Sequence, residues 1–166
     1  MKALLLLAVA AASPASAEIV SASANGLEIR HTVDVAMPPA AAFARFANVS
    51  AWWSGEHSYS GKAENLSLVL RPGGCWCEKL PNGGGVEHMR VALVEPGKHI
   101  VLTGALGPLL YLATTGVMDV QFKPSAKGSQ VTFDYRAAGF FNGGADKIAP
   151  AVDAVLAEQV KRFGAP

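Results

Sequence analysis

The chain has 166 residues, of which 51% are hydrophobic and 16% are charged, so it can bury a large core, and this excludes a disordered protein. Its 14 Lys and Arg balance 13 Asp and Glu. The charge therefore provides no basic surface for nucleic acid or anionic lipid, and we expect no nucleic-acid partner.

Residues 1–17 have the pattern of an export signal. Lys2 gives a cationic start, residues 3–12 are apolar, and residues 15–17 (Ala-Ser-Ala) fit the small-x-small rule for cleavage. The apolar run is about half the roughly 20 residues that a membrane-spanning helix needs. We predict cleavage before Glu18 and an exported product, periplasmic or secreted, with no stable membrane anchor.

Cleavage would leave 149 residues (166 − 17), a length that suits one domain with one core. The start of this mature chain, residues 18–26, has no clear hydrophobic period, and we expect a flexible lead-in there. A single domain is predicted over residues 27–166.

The domain begins with a strand and two short helices. Apolar and polar residues alternate over residues 27–35, which is the period of a half-buried strand. Pro39 opens a helix, because its missing N–H would be unpaired in the first turn. Phe43 and Phe46 lie three residues apart and share one helix face. A second helical turn is predicted over residues 49–53.

Short strands punctuated by glycine and proline follow, as in an antiparallel meander. Tight-turn residues at 81–85, 95–97 and 124–128 predict hairpins. We predict strands at 65–71, 74–80, 86–95, 98–104, 113–123 and 129–138. Alternation predicts inward side chains at Leu66, Leu68, Leu70, Ile100, Leu102, Met118, Val120, Phe122, Val131, Phe133 and Tyr135.

The last segment predicts a long amphipathic helix that begins near Lys147, with Pro150 in its first turn, where no intrahelical bond is lost. Apolar residues recur there at spacings of three, four and seven: Ile148, Val152, Val155, Leu156 and Phe163. The predicted fold class is α+β, with a curved antiparallel sheet of about seven strands around this helix.

Cys75 and Cys77 are the two cysteines of the chain, and strand alternation places both on one face, with Trp76 on the other. Their Cα atoms would lie roughly 6.6 Å apart in an extended strand, near the upper limit for a disulfide. Three alternatives stay open: free or reversibly oxidised thiols that line the interior, a local disulfide that is strained or sits on a bulge, and a soft-metal site.

Glu78 and His88 form a candidate cross-strand pair. If the loop 81–85 joins its strands symmetrically, Glu78 lies opposite His88, and Cys77 lies opposite Met89. Parity then puts Glu78 and His88 on the face away from the cysteines. We expect a solvated pair and no metal site, since zinc would need a bulge to bring the thiols and this pair together.

Two irregular segments are candidates for the mouth of a pocket. Residues 56–59 follow two tryptophans, and Glu56, His57 or Tyr59 there would be the weak candidates for a general acid or base in an apolar pocket. The alternative is a solvated loop. Residues 104–111 are apolar and contain Gly107, which indicates either a pocket lid or an edge bulge that closes over the core.

The order of these elements resembles the START-like, birch-pollen-allergen-like superfamily, often called SRPBCC, nearest the branch named after the activator of the heat-shock-protein ATPase. The likeness covers residues 29–163. It is carried by residues 38–43 (PPAAAF), the pair Trp52 and Trp53, residues 71–74 (RPGG) and residues 94–98 (VEPGK). It implies a helix-grip fold with a cavity for lipids, polyketides or other apolar molecules between sheet and final helix.

The resemblance implies a binding protein for a small hydrophobic ligand, without a cofactor, and the signal pattern of residues 1–17 predicts that it is exported. The first alternative is a cyclase or dehydratase acting on an apolar or polyketide-like substrate. The second alternative is a stress-response or thiol-redox interaction module. The sequence does not determine whether a reaction is catalysed or what the oligomeric state is. We expect the pocket to be lined by Trp52, Trp53, Tyr59, Leu68, Cys75, Cys77, Met89, Leu102, Tyr111, Met118, Phe133, Val152 and Leu156.

Overall fold

A computed structural model describes residues 16–165, which form one open antiparallel sheet and two α-helices. The eight strands are ordered β1-β2-β8-β7-β6-β5-β4-β3 across the sheet. Their bounds are β1 Ser16–Ala22, β2 Gly26–Val35, β3 Leu66–Leu68, β4 Cys75–Lys79, β5 Gly85–Glu95, β6 His99–Thr103, β7 Thr114–Ser125 and β8 Gly128–Gly139. The helices are α1 Pro39–Ala47 and α2 Ala145–Gly164. Short 3₁₀ turns cover Val49–Ala51, Gly55–His57, Ala63–Asn65, Pro81–Gly83 and Gly107–Tyr111.

The predicted α+β class is confirmed in outline, but the sheet has eight strands where about seven were predicted. The additional strand is β1, which occupies most of the segment that we expected to be a flexible lead-in. It pairs antiparallel with β2, with Ile19 opposite Ile29. Backbone pairing with an existing strand edge explains order in a segment with little apolar periodicity. The predicted export signal lies largely outside the described residues.

The inner face of the sheet is built by alternation on its longest strands. Met118 of β7 pairs with Tyr135 of β8, and Val120 pairs with Phe133, all of them buried. Cross-strand apolar pairs of this kind are the main contacts that stabilise a sheet face. The inward side chains predicted on β6, β7 and β8 are therefore in the core.

The core is dominated by aromatic rings below α1. Pro39 opens this helix as predicted, and Phe46 on its inner face is fully buried. The Phe46 ring makes edge-to-face contacts with Trp76 and Phe122, at centroid distances of 6.2 and 6.1 Å. The indole N–H of Trp52 donates to the carbonyl of Phe46 at 3.3 Å, so this buried ring has its polar group satisfied.

Helix α2 begins earlier than the sequence predicts. It starts at Ala145, directly after Gly144, whose φ of 99° reverses the chain. Pro150 is therefore in the second turn, not in the first, and the helix lacks the N–H that would bond to the carbonyl of Asp146. The prediction that Pro150 loses no intrahelical bond is wrong for this reason.

The C-terminal end of α2 is attached to α1 by Arg45. Its guanidinium donates to the carbonyls of Phe163, Arg162 and Ala165 at 2.9, 3.2 and 2.8 Å. The carbonyl of Arg162 also accepts the capping N–H of Ala165 at 3.3 Å, and a cation is favourable at this end of the helix dipole. The contact holds the last turn of α2 over the core.

A buried histidine joins β2 to the middle of α2. His31 Nε2 lies 2.9 Å from Asp153 Oδ1 across the interface between sheet and helix. Burial lowers the pKa of His31, although the neighbouring Asp153 carboxylate acts in the opposite direction. The pair places one acid-sensitive contact between the sheet and the helix.

Candidate functional site

A cavity of about 530 Å³ lies between the N-terminal half of α2, the segment between α1 and β3, and the segment that follows β6. This volume is in the range of small-molecule sites. The cavity is lined mainly by apolar side chains and rings: Trp53, Glu56, His57, Ser58, Tyr59, Leu66, Trp76, His88, Leu106, Gly107, Pro108, Leu109, Tyr111, Leu112, Ile148, Ala151, Val152, Val155 and Leu156.

One wall of the cavity is a stripe of α2. Ile148, Val152 and Val155 follow the spacing of four and three that keeps residues on one helix face, and Ala151 lies beside them. These side chains are only half-buried, unlike Leu156 at the end of the stripe. The amphipathic stripe predicted from the sequence thus borders open space over the first half of the helix.

The opposite rim is the 3₁₀ turn Gly107–Tyr111, which covers one side of the mouth. Gly107 has a φ of 56°, a backbone region that glycine adopts without strain. The hydroxyl of Tyr59 donates to the carbonyl of Gly107 at 2.7 Å, and the N–H of Leu106 donates to the hydroxyl oxygen of Tyr135 at 3.3 Å. Burial raises the pKa of Tyr135 to about 12, against a smaller opposite effect of the Leu106 hydrogen bond.

The cavity has one buried polar wall, formed by His88, which lines the cavity, and by Glu78 behind it. His88 Nε2 lies 2.9 Å from Glu78 Oε2, and the exposed fractions of the two residues are 6% and 2%. The Glu78 carboxylate also accepts the backbone N–H groups of Tyr59, at 3.0 Å, and of Ser60. Three donors therefore hold a buried carboxylate directly behind the imidazole.

Both residues face inward because alternation puts them on the same face as Trp76: Glu78 is two residues after Trp76 and pairs with Val86, and His88 is two residues after Val86. A β-bulge interrupts the pairing at this point. Trp76 pairs with Met89 but Cys77 pairs with Glu87, so His88 is the extra residue of β5. The extra residue interrupts the alternation of β5, so the consecutive residues His88 and Met89 are both buried.

Glu78 lies opposite Val86 and not opposite His88, because the turn is shorter than predicted and Leu80 already pairs with Gly84. The pair lies on the face away from the cysteines, as predicted, but that face is buried, so the prediction that it is solvated is wrong.

The alternation predicted for β4 is present, but its inner face is the one opposite to the predicted face. Trp76 and Glu78 are buried on the inner face, whereas Cys75 and Cys77 are half-exposed on the outer face. The two cysteines form a disulfide, with Cα atoms 5.3 Å apart, shorter than the extended spacing. Of the three alternatives, the structure shows the disulfide at a bulge, and the expected lining of the cavity by sulfur is wrong.

Protonation of the polar wall follows from its surroundings. Burial lowers the pKa of His88, although Glu78 favours the charged form, so the imidazole is neutral at pH 7. Burial acts to raise the pKa of Glu78, but hydrogen bonds from Ser60, Tyr59 and His88 outweigh it and the pKa is lowered. The wall is thus a carboxylate that accepts a hydrogen bond from a neutral imidazole.

The weaker acid-base candidates lie at the mouth. His57 Nε2 is 3.0 Å from Glu158 Oε2 of α2, and both side chains are largely open to solvent. The hydrogen bond from His57 is the main cause of the lowered pKa of Glu158. Glu56 also lines the mouth and is exposed. The His57 contact links the mouth segment to the helix.

The structure brings some of the predicted pocket residues to the cavity and leaves others in the core. Trp53, Tyr59, Tyr111, Val152 and Leu156 line it. Buried core positions away from the lining are Trp52, Met89, Leu102, Met118 and Phe133, and Leu68 is partly buried against that core. The sheet face under α1 is filled by rings, so these residues pack against each other.

Sequence reasoning missed His88 and Glu78 as part of the cavity. The useful signal was Trp76, because an indole has far more apolar surface to bury than a thiol, and this puts the tryptophan face of β4 inward. Within residues 16–165, no group of three or more His, Cys, Asp or Glu side chains is placed to hold a metal ion, and no helix has the length and apolarity to cross a bilayer.

Comparison with solved structures supports the fold. An uncharacterised protein from Rhizobium leguminosarum has a TM-score of 0.60 at 18% identity, over 92% of this chain and 96% of that protein. Mll3558 from Rhizobium loti has a TM-score of 0.54 at 21% identity, over 82% and 95% of the two chains. DynU16, from the dynemicin biosynthetic locus, has a TM-score of 0.58 at 16% identity, over 82% of this chain and 45% of its own.

No family model matches the chain, and no curated protein matches it. The structural neighbours are distant in sequence, so they bear on the fold alone. A sheet with a C-terminal helix, shared with them over most of the chain, is consistent with a helix-grip fold.

Proposed function

We propose that the protein binds a small hydrophobic molecule in the cavity beside α2. The observation that carries this proposal is an apolar cavity of about 530 Å³ with one buried polar wall. Small-molecule sites typically combine these two features, an apolar lining and a few placed polar groups. The stripe Ile148, Val152 and Val155 would contact the apolar body of the ligand.

We further propose that the chain is a START-like (SRPBCC) protein with a helix-grip fold, acting after export. The arrangement of the sheet and α2, together with the motifs of the sequence, supports the START-like family. The disulfide between Cys75 and Cys77 supports export, because disulfides persist mainly in oxidising compartments. Mass spectrometry of the protein recovered from the periplasm or medium would test export, since cleavage before Glu18 fixes the mass.

Native mass spectrometry of the exported protein tests ligand binding directly. We expect a co-purified small molecule on the wild type and its loss from Ala151→Phe, since the new ring would enter the cavity. Ala154→Phe is the matched control, because Ala154 is exposed on the same helix and does not line the cavity. A wild-type protein without any bound molecule, and without affinity for apolar probes, would overturn the proposal.

An enzyme of the cyclase or dehydratase kind is a second candidate. The observation that favours it is the neutral imidazole of His88 backed by Glu78, the arrangement of a general base with its orienting carboxylate. The likeness to DynU16, from a biosynthetic locus, is compatible with it. For a dehydratase, the molecule captured by His88→Gln should be heavier by one water than the molecule captured by the wild type.

A further inference from the structure

The imidazole of His88 has one nitrogen left for a ligand. Nε2 forms a hydrogen bond with Glu78. Nδ1 has no hydrogen-bond partner among the described residues, and this atom is not fully enclosed by protein. Two other polar side chains of the lining are already committed: Tyr59 donates to the carbonyl of Gly107, and Ser58 donates to the carbonyl of Gly55. His88 is therefore the buried polar group of the lining that is open to a new contact.

The neighbouring carboxylate determines what this nitrogen can do. A carboxylate only accepts hydrogen bonds, so the proton of a neutral imidazole is on Nε2, facing Glu78, and Nδ1 carries a lone pair. The backbone N–H groups of Tyr59 and Ser60 keep the carboxylate in place. Nδ1 is thus a fixed acceptor, and its natural partner is a hydroxyl or N–H of the ligand.

The charges around the cavity exclude another common class of apolar ligand. No Lys or Arg occurs among the residues that line the cavity in the described part of the chain, and the ionised Glu78 lies directly behind His88. A fatty acid or another apolar anion would lose its hydration without gaining a cation, and it would face a buried carboxylate. The site favours a neutral head group.

We infer that the ligand is a neutral apolar molecule with a hydroxyl, a phenol or an alcohol, that donates to Nδ1 of His88. Its apolar body lies between the rings of Trp53 and Trp76 and the α2 stripe of Ile148 and Val152. This inference rests on the proposed binding function and adds to it the chemical class of the head group.

Matched naphthalene probes test the inference by calorimetry on the full mature protein at pH 7.5. 2-Naphthol donates a hydrogen bond, 2-methoxynaphthalene has no donor, and 2-naphthoate is an anion. We expect 2-naphthol to bind about 3- to 10-fold more tightly than the methyl ether, the gain from one buried hydrogen bond. 2-Naphthoate should bind at least about 10-fold more weakly than 2-naphthol, because its charge is desolvated without a partner.

His88→Leu should reduce the preference for 2-naphthol to within about twofold while it keeps affinity for the methyl ether, since only the acceptor is lost. His99→Leu is the matched control, because His99 is bound to Asp119 on another part of the sheet and does not line the cavity. It should keep the wild-type preference.

A measurement on the wild type does not depend on how well a variant folds. In protein labelled with ¹⁵N-histidine, the Nδ1 resonance of His88 should move toward the range of protonated nitrogens when 2-naphthol is added. It should stay unchanged with the methyl ether. The resonance is assigned by its absence in His88→Gln.

The outcomes separate the inference from the proposed function. Equal affinity for 2-naphthol and its methyl ether, with an unmoved Nδ1 resonance, would overturn the inference and leave the binding function standing. Tighter binding of 2-naphthoate than of 2-naphthol would also overturn the inference and leave the binding function standing. No binding of any probe would overturn both.

Discussion

The two halves of α2 meet the rest of the protein in different ways. In its C-terminal half, Phe163 is fully buried, and its ring centroid lies 5.4 Å from that of Trp52 and 5.3 Å from that of Phe133. In its N-terminal half, Ile148 and Val152 are only half-buried and border a cavity. One helix thus closes a filled core at one end and an open site at the other.

This difference separates stability from binding along the helix. The filled end gains the full transfer free energy of large rings in close contact, which is the main source of stability in a single core. The open end gains less because its apolar side chains still face empty space. Substitutions at the filled end should therefore mainly reduce the free energy of unfolding, whereas substitutions at the open end should mainly reduce ligand affinity.

Truncation at the filled end should have the largest effect. Phe163→Ala removes a fully buried ring between Trp52 and Phe133 and should reduce the free energy of unfolding by about 3–5 kcal/mol. Urea unfolding of the mature protein, followed by circular dichroism, measures this change.

Ile148→Ala at the open end is the control for that truncation. The atoms that it removes already face the cavity, so we expect a loss below about 1 kcal/mol and weaker binding of 2-naphthol. Equal losses for Phe163→Ala and Ile148→Ala would contradict the comparison, since they would mean that both ends are packed alike.

Acid should destabilise the protein through two buried histidines, one against the middle of α2 and one in the cavity wall. The pKa values of His31 and His88 are lowered from 6.5 by burial, so below about pH 6.5 the unfolded chain binds protons that the folded chain does not. This contribution is complete above that pH and is lost on acidification, by at most about 1.4 kcal/mol per pH unit for each histidine. Below pH 4.5, loss of the ionised Glu78 acts in the same direction, because its pKa is lowered from 4.5.

Urea unfolding at pH 7.5 and at pH 5.5 measures this effect. We expect a lower free energy of unfolding at pH 5.5, and a smaller difference between the two pH values in His31→Gln and in His88→Gln. His99→Gln is the control, because His99 is partly open to solvent. A stability that rises on acidification would show that the buried histidines are charged in the folded protein.

The sequence predicted the parts of this molecule that follow regular periods. Alternation placed Met118, Val120 and Phe133 on the inner face, and the spacing of Ile148 and Val152 identified the face of α2 that meets the cavity. These predictions depend only on the geometry of a strand or a helix, which applies wherever the element is regular.

The candidate site was less predictable because alternation does not say which of the two faces of a strand is buried. Alternation placed Glu78 and His88 together, away from the cysteines, but that face is the buried one, and a bulge in β5 brings Met89 inward next to His88. A bulge depends on pairing with a partner strand and has no local signature here. The extent of the cavity was not predictable for a similar reason. The rings of Phe46 and Trp52 pack on Phe133 and fill this part of the interior, and these contacts join segments that are distant in sequence.

Removal of the disulfide tests whether the outer face of β4 supports the cavity wall. The pair Cys75 and Cys77 closes a very short loop, so Cys75→Ser with Cys77→Ser should reduce the free energy of unfolding by about 1–2 kcal/mol. The hydrogen bonds of Glu78 are on the other face of the strand and should hold His88 in place. We expect calorimetry to show an unchanged preference for 2-naphthol over its methyl ether. Loss of that preference would show that the disulfide maintains the bulge.

The smallest effect on stability is expected at the mouth, where His57 contacts Glu158. Exposed ion pairs contribute less than about 1 kcal/mol, so Glu158→Gln should hardly change the free energy of unfolding. The contact joins the mouth segment to the open half of α2, and its loss should accelerate both binding and release of 2-naphthol by about 2- to 5-fold, with little change in Kd. Stopped-flow fluorescence measures both rates, with Glu64→Gln as a control at an exposed carboxylate away from the cavity. Unchanged rates would indicate that the ligand passes on the side of the 3₁₀ turn Gly107–Tyr111, where the hydrogen bond from Tyr59 to Gly107 would be the contact to break.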